Sequence, residues 1–141
     1  MRILGIETSC DDTGIAMLEI KGDKNPSFKL LSNIVASQIE VHQPYGGVYP
    51  TLAKREHQKN LPIVLKQAQK EQAPPDAIAV TYGPGLSPCL WAGLTFAQDL
   101  AQQWDVPLIP VDHVEGHLLI ALLKEDGTIS HDIFPAIALI V

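Results

Sequence analysis

The sequence is poor in cysteine, in aromatic residues and in positive charge. Two cysteines, Cys10 and Cys89, in 141 residues make no disulfide framework. Lys and Arg number 10 against 16 Asp and Glu, a formal charge of −6. That balance argues against a chain that coats nucleic acid by charge alone and leaves room for a local basic patch. No apolar run approaches the ~18–20 residues that cross a bilayer. The opening Met1-Arg2-Ile3-Leu4-Gly5-Ile6-Glu7 meets an acid too early for a signal peptide. No internal repeat, low-complexity segment or G-x-x-x-x-G-K-[ST] phosphate loop is present. These absences point to a soluble, cytoplasmic location. A composition 46% hydrophobic and 18% charged is that of a globular chain, and the length suits one domain.

Residues 2–8 form a nearly continuous apolar run, expected as a strand buried on both faces. Residues 14–20 and 28–36 read as two more strands, separated by Gly22-Asp23-Lys24-Asn25-Pro26, which is strong turn chemistry. Short loops between the three predict an antiparallel meander. After the loop Pro44-Tyr45-Gly46-Gly47 the period turns helical. Leu61, Val64, Leu65 and Ala68 fall on one apolar face, and Pro62 is expected to kink or split the helix. Residues 76–81 predict a fourth strand. Ser87 and Pro88 suit the N-cap and first position of a helix reaching about residue 103. Residues 107–111 read as a fifth strand, 112–124 as a third helix, and 125–132 as a polar loop. Trp91 and Trp104 are expected in packing.

The resulting order, βββαβαβα, is that of an RNase H-like domain, the repeat unit of the actin-like ATPase fold. Residues 1–132 are expected to form the first such α/β domain, and 133–141 the first strand of a second. The chain stops inside an apolar strand, which would leave an open edge. A longer protein is therefore expected.

The sharpest chemical feature is His113-Val114-Glu115-Gly116-His117. On a helix, residues four apart share a face, so both imidazoles can reach one ion. Completed by a carboxylate, such a pair suits iron or zinc. Two surface histidines at chance spacing would look the same. Glu115 does not occupy the base position of H-E-x-x-H, which here is Val114. It lies about 200° around the helix from His113. With Asp112 as N-cap, Glu115 fits the third position of a capping box better than a catalytic base.

The first turn, Thr8-Ser9-Cys10-Asp11-Asp12-Thr13-Gly14, is the second feature. Its hydroxyls and backbone amides can bind oxyanions, and its acids can hold a cation or accept a proton. An ordinary Asp-rich hairpin turn is the plain alternative. Neighbouring acids raise the Cys10 thiol, so nothing marks it as a nucleophile. Gly83-Pro84-Gly85 reads either as a site of close approach for a ligand or chain, or as a tight β–α connection. Arg55, Lys59, Lys66 and Lys70 share one helical stripe, with His57 close by in sequence. The stripe suits a nucleic-acid backbone or a solvated outer face.

Four blocks in order extend over essentially the whole chain. They are residues 5–13, the segment Tyr45-Gly46-Gly47-Val48-Tyr49-Pro50 with 52–57, then Gly83-Pro84-Gly85-Leu86, then His113-Val114-Glu115-Gly116-His117. Together they resemble the TsaD family, the tRNA N6-adenosine threonylcarbamoyltransferases once labelled Gcp or O-sialoglycoprotein endopeptidase. The resemblance implies an actin-like two-domain fold. It implies transfer of threonylcarbamoyl from threonylcarbamoyl-AMP to N6 of adenosine 37 in tRNAs reading ANN codons, releasing AMP. His113 and His117 match the family's metal histidines, with iron(II) the usual ion and zinc the alternative. The third ligand is an aspartate late in the second domain. Asp11 and Asp12 match its required acidic pair and become the catalytic candidates. Thr8, Ser9, Arg55 and His57 become the substrate-binding candidates. Implied partners are tRNA, a scaffold paralogue, an accessory ATPase and a separate synthase of the adenylate.

Some positions depart from the family pattern. Asp12 stands where Glu is common, Thr51 where an acid is common, and Gln98-Asp99 where a basic residue is usual. Two rival readings remain. A metallopeptidase is disfavoured by the displaced Glu115, and a non-catalytic scaffold paralogue is disfavoured by the presence of both histidines. With more than half of the family's length absent, no turnover is expected from these residues alone.

Overall fold

Alternating apolar residues and short turns bring the first three strands together. In the computed structural model, which describes residues 1–22, 26–69, 73–130, 134–135 and 137–139, β1 (Arg2–Glu7) pairs antiparallel with β2 (Asp12–Lys21). β2 in turn pairs antiparallel with β3 (Ser27–Ser37), so the expected meander forms. Of the turn expected at 22–26, residues 23–25 lie outside the described residues. A bulge at Met17/Leu18 leaves Leu31 between the partners Ser32 and Leu30. It shifts the phase of β3, so that Leu31, Ile34 and Ala36 all pack on the core.

The chain then makes a short helix, α1 (Ile39–His42), and a 3-10 turn (Gln43–Tyr45) closed by Gly46 with φ 70°. It continues into α2 (Pro50–Ala68), β4 (Ala77–Gly83), α3 (Ser87–Trp104), β5 (Leu108–Asp112) and α4 (His113–Ile120). β4 lies parallel to both β1 and β5, giving a five-stranded sheet in the order β3-β2-β1-β4-β5. This is the arrangement of an RNase H-like domain.

Helices α2 and α3 pack against each other and cover one face of the sheet. Leu4, Ile6, Ile15, Met17, Ile78 and Val80 meet Leu61, Val64 and Ala97 there. Each large side chain so buried contributes about 1.5–3 kcal/mol.

Several local expectations are corrected. β1 is deeply buried on one face only: Leu4 and Ile6 are buried, while Ile3 and Gly5 on the other face are half-buried. Pro62 neither splits nor ends α2, because its ring lies on the exposed side, where water can satisfy the carbonyl it leaves unpaired. Ser87 is the first residue of α3 and caps nothing; Leu86 holds the N-cap position. Trp104 does pack on the core, but Trp91 is 62% exposed, since its neighbours Leu90 and Ala92 take the inner positions. α4 stops at Ile120, short of 124. The polar loop after it folds back on itself. Leu123 bridges Ile129, and the carbonyl of Gly127, a residue with φ 81°, accepts from the Phe28 amide at 2.7 Å, fastening the loop to the start of β3. Of the strand expected over 133–141, residues 134–135 and 137–139 are described and form no strand, while 133, 136, 140 and 141 lie outside the described residues, as does Lys70 of the basic stripe.

Candidate active site

The parallel strands β1, β4 and β5 end side by side, and the polar residues at their carboxyl ends converge there. Loops at the carboxyl ends of parallel strands are where open α/β sheets build sites. Glu7, the last residue of β1, is the hub. Its Oε1 accepts from the Ser9 amide at 2.5 Å, and its Oε2 accepts from the Thr81 hydroxyl of β4. The same Oε2 lies 3.4 Å from Nδ1 of His113, the first residue of α4. Burial pushes the Glu7 carboxyl up. Hydrogen bonds from the Ser9 hydroxyl, the Thr81 hydroxyl and the Ser9 amide, with the charge of His113, outweigh burial and hold it below its ordinary value.

Glu7 faces Nδ1 as an acceptor, so when the His113 ring is neutral its proton sits on Nδ1 and the Nε2 lone pair is left to face an ion. That Nε2 lies 3.1 Å from Nε2 of His117, with the two rings edge to face at 4.5 Å. Two imidazole nitrogens at this separation can both lie about 2.1 Å from one ion. A carboxylate on the far nitrogen of a ligand histidine is the usual support for such a centre. The donors present therefore fit a divalent metal. Among the described residues no group of three or more His, Cys, Asp or Glu is arranged around one ion.

Asp112 ends β5 and caps α4. Its Oδ1 accepts from the Val114 and Glu115 amides at 2.8 and 3.0 Å, which orients the helix that carries both histidines. The N-cap half of the expected capping box is thus in place. Glu115 itself is exposed.

The turn between β1 and β2 is held by its backbone. Thr8 donates its hydroxyl to the Cys89 carbonyl at 2.9 Å, and the Ser9 carbonyl accepts from the Leu86 amide at 2.8 Å. Gly85 crosses so close that an added Cβ would lie 2.6 Å from the Ser9 carbonyl oxygen. The Gly83-Pro84-Gly85 loop is thus a close approach between two parts of this chain. A Cβ at Gly93 would strike the Thr8 hydroxyl in the same way. Thr8 and Ser9 are buried in this packing. Asp11 is half-buried and Asp12 exposed, so the acids remain accessible. Burial raises the Cys10 thiol first, and the bond and charge of Asp11 with the charges of Asp12 and Glu7 raise it further.

His57 is 0% exposed. It donates Nε2–H to the Cys10 carbonyl at 3.1 Å and accepts at Nδ1 from the Thr13 hydroxyl at 2.8 Å. Burial lowers its basicity more than the nearby Glu7, Asp11 and Asp12 raise it. Expected to bind substrate, it instead has all its polar atoms engaged in supporting the turn. Arg55 lies two positions earlier on α2, about 200° around the helix, and is exposed. The structure brings together Glu7, the acidic turn, His57 and the histidine pair, and leaves Arg55 outside. Glu7 and Thr81 were missed as site residues. An acid closing an apolar strand was the available signal for Glu7; none marked Thr81.

Comparison with known proteins bears on this arrangement. A likeness to solved structures links the chain to Thermus thermophilus RuvC, with TM-score 0.53 and 17% identity over 86% of this chain and 68% of that one. RuvC from the same organism in complex with a Holliday junction substrate gives 0.56 and 18% over 89% and 73%. YeaZ from Pseudomonas aeruginosa gives 0.52 and 20% over 79% of this chain and 43% of that one, so the chain spans less than half of that YeaZ. These likenesses establish the RNase H-like, actin-like fold. The family model of the tRNA N6-adenosine threonylcarbamoyltransferases, TsaD, matches residues 29–141, most of the chain and three of the four motif blocks in full. The chain belongs to the TsaD family.

Proposed function

We propose that this chain, with residues 1–132 as its first domain, carries one half of the active site of an enzyme of tRNA modification. The enzyme moves threonylcarbamoyl from threonylcarbamoyl-AMP to N6 of adenosine 37 in tRNAs reading ANN codons. The observation that carries the reading is the histidine pair. Its Nε2 atoms lie 3.1 Å apart, with Glu7 on the far nitrogen of His113 and the acidic turn joined to the same carboxylate through Ser9.

In this reaction the adenosine amine attacks the carbamoyl carbon, the bond to the adenylate phosphate breaks, and AMP leaves. A bound divalent ion, iron(II) or zinc, would supply Lewis acidity toward the carbonyl or phosphate oxygen. His113 and His117 would hold it, and Glu7 would keep His113 in the ligating tautomer. Asp11 or Asp12 would orient the attacking amine or accept its proton. Thr8, Ser9 and His57 hold that turn in place and act as positioning residues. Because the leaving group is already good, alignment supplies much of the rate. The implied partners are tRNA, the adenylate, the scaffold paralogue and the accessory ATPase, in the cytoplasm. Among the described residues no helix is long and apolar enough to cross a membrane, in keeping with that setting.

His113→Ala in the native protein is expected to abolish both stoichiometric metal binding, read by elemental analysis, and threonylcarbamoyl transfer. Full transfer with no bound metal would overturn the assignment.

A further inference from the structure

A row of four buried polar side chains lies behind the acidic turn: Gln38, His42 and His57, with Thr13 at one end. None is more than 3% exposed, and none belongs to the proposed metal centre. Their hydrogen bonds admit only one arrangement of protons. The Tyr49 amide, which can only donate, points at His42 Nδ1 at 3.3 Å. His42 must therefore carry its proton on Nε2, and it donates to Gln38 Oε1 at 3.0 Å. At the other end the Cys10 carbonyl can only accept, so His57 carries its proton on Nε2 and its Nδ1 is an acceptor. That Nδ1 receives Gln38 Nε2 at 3.3 Å and the Thr13 hydroxyl at 2.8 Å. The second hydrogen of the Gln38 amide reaches the Ala53 carbonyl at 3.4 Å. Turning the amide over would set N–H against N–H at His42 and lone pair against lone pair at His57, so its orientation follows from its neighbours.

The row joins two exposed features of the sequence. Its outer end holds the backbone of Tyr49, whose ring stacks on Tyr45 at 5.9 Å on the Gly46-Gly47 loop. Its inner end holds the carbonyl of Cys10, between Ser9 and the acids Asp11 and Asp12. The backbone N–H of Gln38 also donates to the Asp11 carbonyl at 3.1 Å, so Gln38 holds the turn directly through its backbone and indirectly through His57. Nothing softer than a buried, fully hydrogen-bonded side chain lies in this path.

We infer that Gln38 and His42 are positioning residues for the transfer reaction, setting the acidic turn against the Tyr45–Tyr49 loop through His57 by a directional relay with both histidines neutral and protonated on Nε2. The inference rests on the transferase reading for its catalytic consequence but not for its proton arrangement, and the two can fail separately.

The test combines nitrogen-15 imidazole spectra of the native protein with single-turnover transfer kinetics. His42 and His57 are expected as neutral Nε2–H tautomers near neutral pH. Gln38→Glu keeps the shape and still accepts from His42, but it presents a carboxylate to His57 Nδ1. It is expected to convert His57 to imidazolium, a change that a space-filling role would not produce. The rate of transfer should fall about tenfold or more while KM for tRNA stays within about twofold. Gln38→Met fills the same space without either bond and should lower the rate similarly. His42→Ala should shift the amide signals of Cys10 and Asp11, several residues removed in the relay. An Nδ1–H tautomer at either histidine, a His57 that stays neutral in Gln38→Glu, or unchanged rates in all three variants overturns the inference. Should Gln38→Met fail to fold, the Gln38→Glu spectrum decides alone. A wild-type protein with the expected tautomers and no transfer counts against the transferase reading and leaves the relay standing.

Discussion

The two cysteines show how neighbours set chemistry at a single residue. Cys10 is exposed beside three carboxylates, and its thiol is raised by partial burial and by Asp11, Asp12 and Glu7. Cys89, in the first turn of α3, is buried, and its burial pushes the thiol up to about 11. A thiolate is the reacting form, so both should be sluggish. With iodoacetamide at mildly alkaline pH, Cys10 is expected to react more slowly than a free thiol in a peptide. Cys89 should react only after denaturation. Mass analysis of the modified peptides reads both rates, and a Cys10 faster than the peptide thiol would contradict the electrostatic account. His57 carries the same lesson with opposite effect. Expected at the substrate, it is buried with every nitrogen engaged, and its influence on chemistry passes through the Cys10 carbonyl.

Among the elements, α4 depends most on a single side chain. It has eight residues, too few to be stable from propensity alone. Asp112 satisfies two of its orphan amides. Asp112→Ala is expected to cost about 1 kcal/mol of stability. It should also weaken metal binding, because the helix start then loses its hold on His113. Asp112→Asn, which still caps, should retain most of both. Thermal melts and metal titration of the two variants separate the cap from the charge, and equal behaviour of Ala and Asn would remove capping from the explanation. The contrast with α2 is instructive. α2 has 19 residues and a broad buried face, so an internal proline on its exposed side does not interrupt it.

For the whole molecule, the buried histidine links folding to pH. Burial holds the folded His57 below its ordinary value of 6.5. Between the two values the unfolded chain binds the proton and the folded chain does not, so stability rises with pH through that window. Acidification below about pH 6.5 should therefore lower the urea midpoint progressively until the folded-state value is passed. His57→Gln should flatten that part of the profile. A wild-type midpoint constant from about pH 7 to about pH 5 would contradict the assignment of His57 as buried and neutral.

Although the short α1 and the 3-10 turn after it were not expected, the sequence by itself determined the order of the five strands and of α2, α3 and α4, the antiparallel meander, the buried face of α2, the Asp112 cap and the pairing of His113 with His117. Each of these rests on spacing within one element or across one short turn, where period and reach leave few options. Only the tertiary structure decided how Trp91, β1 and Glu7 are placed against their neighbours. Trp91 lies outside because α3 turns Leu90 and Ala92 inward. β1 is deeply covered on one face because α2 and α3 lie together on that side of the sheet. Glu7 became a site residue only when β4 and β5 brought Thr81 and His113 to it, 74 and 106 positions away in the chain. The relay from Tyr49 to Cys10 likewise depends on three separate segments meeting in a buried space. Hydrogen-bond partners so far apart in sequence share no period, so no pattern along the chain could mark them.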